Sequence, residues 1–355
     1  MTNMIHIDGS HGEGGGQIVR SSLALSLVTG QPVVIENIRA GRQKPGLMRQ
    51  HLAAVNAAAR IGNAQVAGAE MGARTLTFVP QQIVPGNYHF SIGTAGSTTL
   101  VLQTILPALI ISNGPFTVTL EGGTHNQWAP PFDFLQKAFL PIINRMGPKV
   151  SVELERHGFY PAGGGRFTVS IEPSPNLNGF DLLKRGELKS RSAIALVSNL
   201  PRHIAQRETD AILHKMNWNA SCARVEEVTA HGPGNVVSTQ LEYEHVTEVV
   251  TGFGRIGASA ENVAKEVISD TRNYLKSEVP VGEYLADQIL LPLGISAWQS
   301  GPHRRGGSFR TMPLSRHSTT HIELLRQILG IEIGVANDPE AHQSTVTLGP
   351  MPATR

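Results

Sequence analysis

One order of motifs occurs three times along this chain, and nothing else in the sequence constrains its fold as strongly. The order is glycine-rich loop, helix, strand, loop, helix, strand. The first copy opens at Gly12-Glu13-Gly14-Gly15-Gly16. A helix is predicted over 17–28, with Val19, Leu23 and Leu27 on one face, and Gly30 stops it. Residues 32–38 read as a strand. A second helix is predicted from Pro45, where Met48, Leu52, Val55 and Ala59 keep helical spacing. In the second copy Gly93-Thr94-Ala95-Gly96 opens a helix, 116–120 reads as a strand, and Pro130-Pro131 opens a helix. That helix carries Phe132, Leu135, Phe139, Ile142 and Met146 on one face. The third copy begins at Gly282, and Gln288-Ile289-Leu290-Leu291-Pro292 matches Gln103-Thr104-Ile105-Leu106-Pro107 of the second. Its last helix ends at Ile328-Leu329-Gly330, and strands over 331–335 and 344–348 finish the pattern.

The first two copies are offset by roughly 85 residues, and the third is late by about 100 more, room for a small inserted domain. Within that interval, 192–198 and 241–250 read as strands, and 204–216 and 260–275 as helices. The expected fold class is therefore α/β, in an α+β layered arrangement. Three repeated βαβαββ-type units would form a large discontinuous domain, 1–182 with 280–355, and 183–279 would be a smaller inserted α/β domain.

Composition narrows the function classes. Of 355 residues 40% are hydrophobic and 16% charged, a balance that folds. The formal net charge of +2 is too mild to argue nucleic-acid binding, so such a site would have to be a local basic patch. The one cysteine, Cys222, excludes a disulfide framework and a cysteine zinc site within one chain. The N-terminus lacks a secretory layout. The longest apolar stretch, 100–111, is broken by Gln103, Thr104 and Pro107. These features predict a cytoplasmic protein with no membrane segment.

Several motifs bear on chemistry, and each also has a plain structural reading. The loop from Gly12 to Gly16 leads straight into a helix, where free N–H groups and the positive dipole end suit a phosphate. It is neither a Walker loop, having no Gly-Lys-Ser/Thr, nor a dinucleotide fingerprint, because Gln17 stands where the third glycine belongs. Glu13 inside it could hold a divalent cation against a triphosphate, or be a solvated loop acid. Arg39, Arg42, Lys44 and Arg49 cluster beside Gln50 and His51, and Arg20 could converge on them. Arginine forks bind phosphate, although a solvated basic face reads the same way. His317, in Leu314-Ser315-Arg316-His317-Ser318-Thr319-Thr320, falls where the last helix should begin. A cation is disfavoured there, which favours a neutral, nucleophilic imidazole. Tyr284, Asp287 and Gln288 lie within about a turn and a half of one helix and could orient a base or a histidine. There is no His-Glu-x-x-His, no Gly-x-Ser-x-Gly, and no Lys-x-Asp-Gly of nucleic-acid ligases, the nearest stretch being His6-Ile7-Asp8-Gly9.

Taken together, these segments resemble the RNA 3′-terminal phosphate cyclase family. The resemblance is carried by 8–17, 38–42, 45–51 (Pro45-Gly46-Leu47-Met48-Arg49-Gln50-His51), 157–161, 163–165, 231–235 and 282–288, in the family's order. It implies three repeats, each similar to the C-terminal domain of bacterial translation initiation factor three, with a smaller inserted domain. It implies that His317, in the context Ser315-Arg316-His317, attacks the α-phosphate of ATP and becomes a histidine–AMP adduct. AMP then passes to an RNA 3′-phosphate, and the 2′-hydroxyl displaces it to leave a 2′,3′-cyclic phosphate. ATP and a divalent cation, magnesium or manganese, are the implied cofactors, and RNA with a 3′-terminal phosphate is the implied partner. Carried over by residue, Glu13 would meet metal and triphosphate. Arg20, Arg39, Arg42, Gln50 and His51 would hold phosphates. Gln103, Tyr284, Asp287 and Gln288 would line the nucleotide pocket with His317, and Phe253 would stack on adenine. The basic stretch 298–311, with His303, Arg304 and Arg305, could touch RNA. Non-catalytic relatives that serve ribosome assembly resemble the cyclases but lack the histidine, which this chain has. Enolpyruvyl transferases are similar in repeated-unit architecture but would need a second domain of three repeats.

Overall fold

A computed structural model describes residues 4–299 and 306–349. The first segment runs β1 (Ile5–Asp8), α1 (Gly16–Thr29), β2 (Val33–Glu36), α2 (Arg49–Ile61), β3 (Gln65–Ala67) and β4 (Leu76–Val79). The second runs β5 (Gly86–Ser91), α3 (Thr98–Leu109), β6 (Phe116–Gly122), α4 (Phe132–Phe134), a π turn (Leu135–Phe139), α5 (Leu140–Arg145), β7 (Lys149–Arg156) and β8 (Gly165–Glu172). A short strand β9 (Phe180–Leu182) follows. Then come β10 (Leu188–Ser198), α6 (Arg202–Met216), β11 (Ala223–Glu227), β12 (Gly234–Tyr243), β13 (Thr247–Phe253) and α7 (Ala260–Ser277). The last elements are α8 (Glu283–Gln299), β14 (Gly307–Thr311), α9 (Arg316–Leu329), β15 (Glu332–Asp338) and β16 (Gln343–Gly349).

These strands form mixed four-stranded sheets, in the orders β1-β2-β4-β3, β5-β6-β8-β7, β11-β10-β12-β13 and β15-β16-β14-β9. The fold is a layered α/β one. All of these sheets have one parallel pair followed by two antiparallel pairs, but in the first, second and last the strands lie in the order first, second, fourth, third along the chain, with β1, β5 and β9 at the edge, whereas in β11-β10-β12-β13 the second strand lies at the edge. The pattern follows from alternation. Along β6, Phe116, Val118 and Leu120 are buried and face Ile171, Val169 and Phe167 of β8 in register. Successive strand residues point to opposite faces, so one face is apolar and takes the helices.

Helix α1 is buried on almost every side, with Ile18, Val19, Leu23, Ala24, Leu25 and Leu27 in the core. It packs against α2, α3 and α9, and α9 packs against α8. Each fully buried leucine contributes about 1.5–3 kcal/mol of transfer free energy. This central helix therefore fixes where the N-termini of its neighbours lie.

The structure corrects three sequence expectations. The second helix starts at Arg49 and not at Pro45. Gly46 takes φ +79°, and a Cβ there would lie 2.3 Å from the Gly72 carbonyl oxygen, so the chain turns before the helix can begin. The stretch 241–250 is not one strand. It folds back between β12 and β13, where the Tyr243 N–H donates to the Val246 carbonyl at 2.9 Å. The last of the similar sheets draws its first strand, β9, from before residue 183, so that unit does not begin at Gly282.

Elements β10–β13 are tied to the rest through buried polar groups. Glu248 on β13 is 3% exposed and accepts the Gly282 N–H at 3.1 Å, just ahead of α8. Burial pushes its carboxyl up to about 8, against the pull of that hydrogen bond. The unfolded chain ionises this group near 4.5, while the folded chain keeps the proton to about 8. Between those values the folded state binds more protons, so this contribution is full below pH 4.5 and is lost as pH rises to about 8. Glu248→Gln should therefore gain stability relative to wild type at pH 8, by roughly 1–3 kcal/mol, and gain little at pH 5. Urea unfolding at the two pH values measures this, and an equal difference at both would contradict it.

Candidate active site

The site begins where α1 and α9 start. Ser315 caps α9 by accepting the Ser318 N–H at 3.2 Å, which makes His317 the second helical residue, exposed to solvent. The cap of α1 is Gly15, which has no side chain to occupy the first-turn N–H groups. Neither first turn contains an acidic residue of its own, although the Glu13 carboxylate packs against Gly15 at the start of α1. The two are pinned together by the glycine loop. Gly12 sits at φ +57°, and a Cβ there would lie 2.1 Å from Thr320 Oγ1. That close approach lets the Glu13 N–H donate to Thr320 Oγ1 at 3.0 Å. His11 adds a 2.7 Å contact to Glu323.

From the second position of α1, Gln17 reaches across the gap. Its Oε1 lies 2.9 Å from His317 Nδ1, and its Nε2 donates to Asp287 Oδ1 at 2.6 Å. Asp287, on α8, lies 3.4 Å from His321 Nδ1 and accepts from Gln288 Nε2 at 3.4 Å. Gln288 in turn accepts a close hydrogen bond from Gln103 of α3. Burial pushes the Asp287 carboxyl up, but hydrogen bonds from His321 and Gln17 and the neighbouring His317 more than offset it and leave it below the ordinary carboxylate range. Gln17, Arg20, Gln103, Asp287, Gln288 and His321 line one narrow cleft between these helices.

Beside it sits the cationic group. Burial lowers the Arg20 guanidinium to about 10, with Asp287 opposing, and its Nε is buried without a partner. Burial, then Arg20 and Arg39, bring the His51 imidazole down to about 3. The neutral His51 accepts the Met48 N–H through Nδ1 at 3.0 Å, so Nε2 carries the proton, facing Gly16. Arg42 forms a close ion pair with Glu13 Oε1 and donates to the Glu13 carbonyl at 3.2 Å. Glu13 Oε2 is buried and unpartnered. Arg39, in the left-handed region at φ +52°, donates to the carbonyls of Lys44 (2.6 Å) and Gly46 (3.0 Å) and so shapes the basic loop. Gln50 sits against Gly96 at the start of α3.

The expected residues thus divide. His317, Arg20, Arg42, His51, Glu13, Gln103, Asp287 and Gln288 come together, and Tyr284 lies one turn before Asp287, 65% exposed. Phe253 packs with Phe159, Leu196 and Val236 at the end of β13, and among the described residues it shares no hydrogen bond or ring contact with this group. His303, Arg304 and Arg305 lie outside the described residues. Gln17 and His321 were not singled out from the sequence. His321 was within reach, since it stands four residues after His317 and shares its helix face.

The family model described as RNA 3′-terminal phosphate cyclase matches residues 11–335. The chain belongs to the RNA 3′-terminal phosphate cyclase family. Proteins bearing that name from Koribacter versatilis and Ralstonia nicotianae are 50% and 46% identical, over 95% of this chain in each case and 93% and 95% of theirs. One from Salmonella agona is 44% identical over 98% of both chains. A solved EPSP synthase from Acinetobacter baumannii aligns with TM-score 0.27 and 11% identity, over 98% of this chain and 64% of that one, too low to say anything of the fold. The family membership places the glycine loop, the basic loop and His317 within the matched residues.

His51 offers a test of the site's electrostatics. The folded chain leaves it neutral down to about pH 3, while the unfolded chain protonates it below about 6.5. The unfolded state binds more protons in that window, so stability falls as pH falls from 6.5 towards 3. His51→Asn keeps an acceptor for the Met48 N–H and removes the titration. Its urea midpoint should drop less than the wild type's between pH 7 and pH 4.5, and parallel drops would refute the assignment.

Proposed function

We propose that this chain is an ATP-dependent RNA 3′-terminal phosphate cyclase that works through a histidine–AMP intermediate. The observation that carries the reading is His317, exposed at a helix N-terminus with no acidic residue in its first turn, beside the cleft that holds the Arg20 guanidinium. Nε2 of His317 attacks the α-phosphorus of ATP, an N–P bond forms, and pyrophosphate leaves. The RNA 3′-phosphate then takes AMP from the histidine. The adjacent 2′-hydroxyl attacks the activated phosphorus, AMP leaves, and the cyclic diester remains. A bare phosphate monoester would have to expel an oxide, so adenylation supplies the leaving group. Such displacements need in-line placement and charge neutralisation above all.

The roles follow the geometry. Arg20, Arg42 and the neutral His51 Nε2–H are assigned to phosphate oxygens, with Gln50 at the edge of the same group and Arg39 holding the loop that presents Arg42. Gln103, Tyr284 and Gln288 are assigned to the nucleoside end of ATP. Glu13 fits a divalent cation, magnesium or manganese, because one carboxylate oxygen is buried and unpartnered while Arg42 holds the other. A single carboxylate with phosphate oxygens and water is a usual magnesium set. When bound, the ion would neutralise the triphosphate. We further propose that the sheets whose strands lie in the order first, second, fourth, third along the chain are repeated units of a large domain, 1–182 with 280–355. Residues 183–279 would be inserted between β9 and α8. The enzyme would act in the cytoplasm; no described helix is long and apolar enough to cross a membrane.

Incubating the protein with α-labelled ATP and magnesium, without RNA, should yield a labelled band that is acid-labile and alkali-stable. His317→Ala should show none. A wild type that takes no label with magnesium or manganese would defeat the reading. Glu13→Gln should raise the magnesium concentration for half-maximal labelling by about tenfold or more; a titration with an unchanged midpoint would remove Glu13 from the metal site.

A further inference from the structure

We propose that Gln17 is a positioning residue that sets the tautomer of His317, holding the proton on Nδ1 so that Nε2 presents its lone pair. The inference rests on His317 being the nucleophile and deepens that reading. The argument is one of hydrogen-bond polarity. Asp287 lines the cleft, partly buried, and an ionised carboxylate only accepts. The amide end of Gln17 at 2.6 Å from it must therefore be the NH2 group. That commits the other end, Oε1, to His317 Nδ1 at 2.9 Å. An amide oxygen also only accepts, so Nδ1 must donate. A neutral imidazole has one N–H, and Nε2 is left bare. Gln17 cannot turn over, because it is 6% exposed and reversal would set its oxygen against a carboxylate.

The device serves both halves of the reaction. When Nε2 forms its bond to the α-phosphorus and the bond to the pyrophosphate oxygen breaks, the ring gains a positive charge and keeps its Nδ1 proton. Gln17 Oε1 receives that proton's hydrogen bond, and the Asp287 charge lies one amide away. When the RNA phosphate oxygen attacks, the N–P electron pair returns to a cationic ring, which leaves as neutral imidazole. No proton has to move at either step.

The tautomer can be read without ATP. In 15N-histidine-labelled protein at a pH where His317 is neutral, long-range 1H–15N correlations identify which ring nitrogen carries hydrogen, and comparison with His317→Asn assigns the signals. Wild type should show Nδ1–H. Gln17→Met, similar in shape but without the amide, should shift His317 towards Nε2–H, the form free imidazole side chains prefer in water. Adenylation in that variant should slow by between about tenfold and 10⁴-fold, the upper figure being the cost of a wrong-tautomer histidine in the serine-protease triad. Should Gln17→Met fail to fold, Gln17→Leu decides. It too removes the amide, so it leaves Nδ1 without its acceptor. Nε2–H in wild type overturns the proposal, as does Nδ1–H persisting in Gln17→Met, or in Gln17→Leu where that variant decides. These spectra are independent of labelling by ATP, so a protein with Nδ1–H that forms no adduct would defeat the proposed function and leave the role of Gln17 standing.

Discussion

The hydrogen bond from the Glu13 N–H to Thr320 Oγ1 is the contact on which the site depends. It holds the first turn of α1 against the first turn of α9, elements some 300 residues apart in sequence. Neither helix carries an acidic residue in its first turn, and the Glu13 carboxylate lies against Gly15. Two such ends side by side repel weakly in the empty protein and attract an anion strongly. The approach is possible only because position 12 has no Cβ. Loop, dipoles and nucleophile therefore share one geometric condition, and the buried packing of α1 maintains it.

Charge burial extends the same logic. Arg20 is held where water cannot fully solvate it, with Asp287 as its nearby anion and its Nε unpartnered. A buried cation left partly unsatisfied costs stability unless a ligand completes it. Burial, and then the fields of Arg20 and Arg39, keep His51 neutral, so His51 offers an N–H and adds no further charge to the cluster. Asp287 thus has two tasks. It offsets Arg20, and through Gln17 it fixes the surroundings of His317.

Much of the fold was legible because helical periodicity is a local signal. Gly30 and Gly330, both left-handed C-caps, ended helices where the pattern stopped. Strands were harder. β1 and β4 are four residues long, and β3 and β9 three, too short for alternation to register. The turn inside 241–250 lacks glycine and proline, so nothing in the sequence marked it. At the site, the side assigned to phosphate was marked in the sequence by glycines and arginines. Gln17 was not, since a glutamine carries no charge and its importance comes wholly from being caught between two residues, 287 and 317, that folding brings to it.

That contrast explains how the site can be both rigid and reactive. Of the groups that brace the site, Gln17 and His321 are buried and Asp287 mostly so, and they are held to one another or to core helices. His317 and Tyr284, which the proposed function sets against substrates, are exposed at helix starts, where one face of the side chain is free. Helix starts are also where backbone N–H groups are unspent, so substrate phosphates meet dipole and nucleophile at the same place. A nucleophile deep in the cleft would gain rigidity but lose access to a polymer end. One on a loop would gain access but lose the fixed Nδ1 contact. The second position of a capped helix, braced from behind by a buried amide, satisfies both requirements.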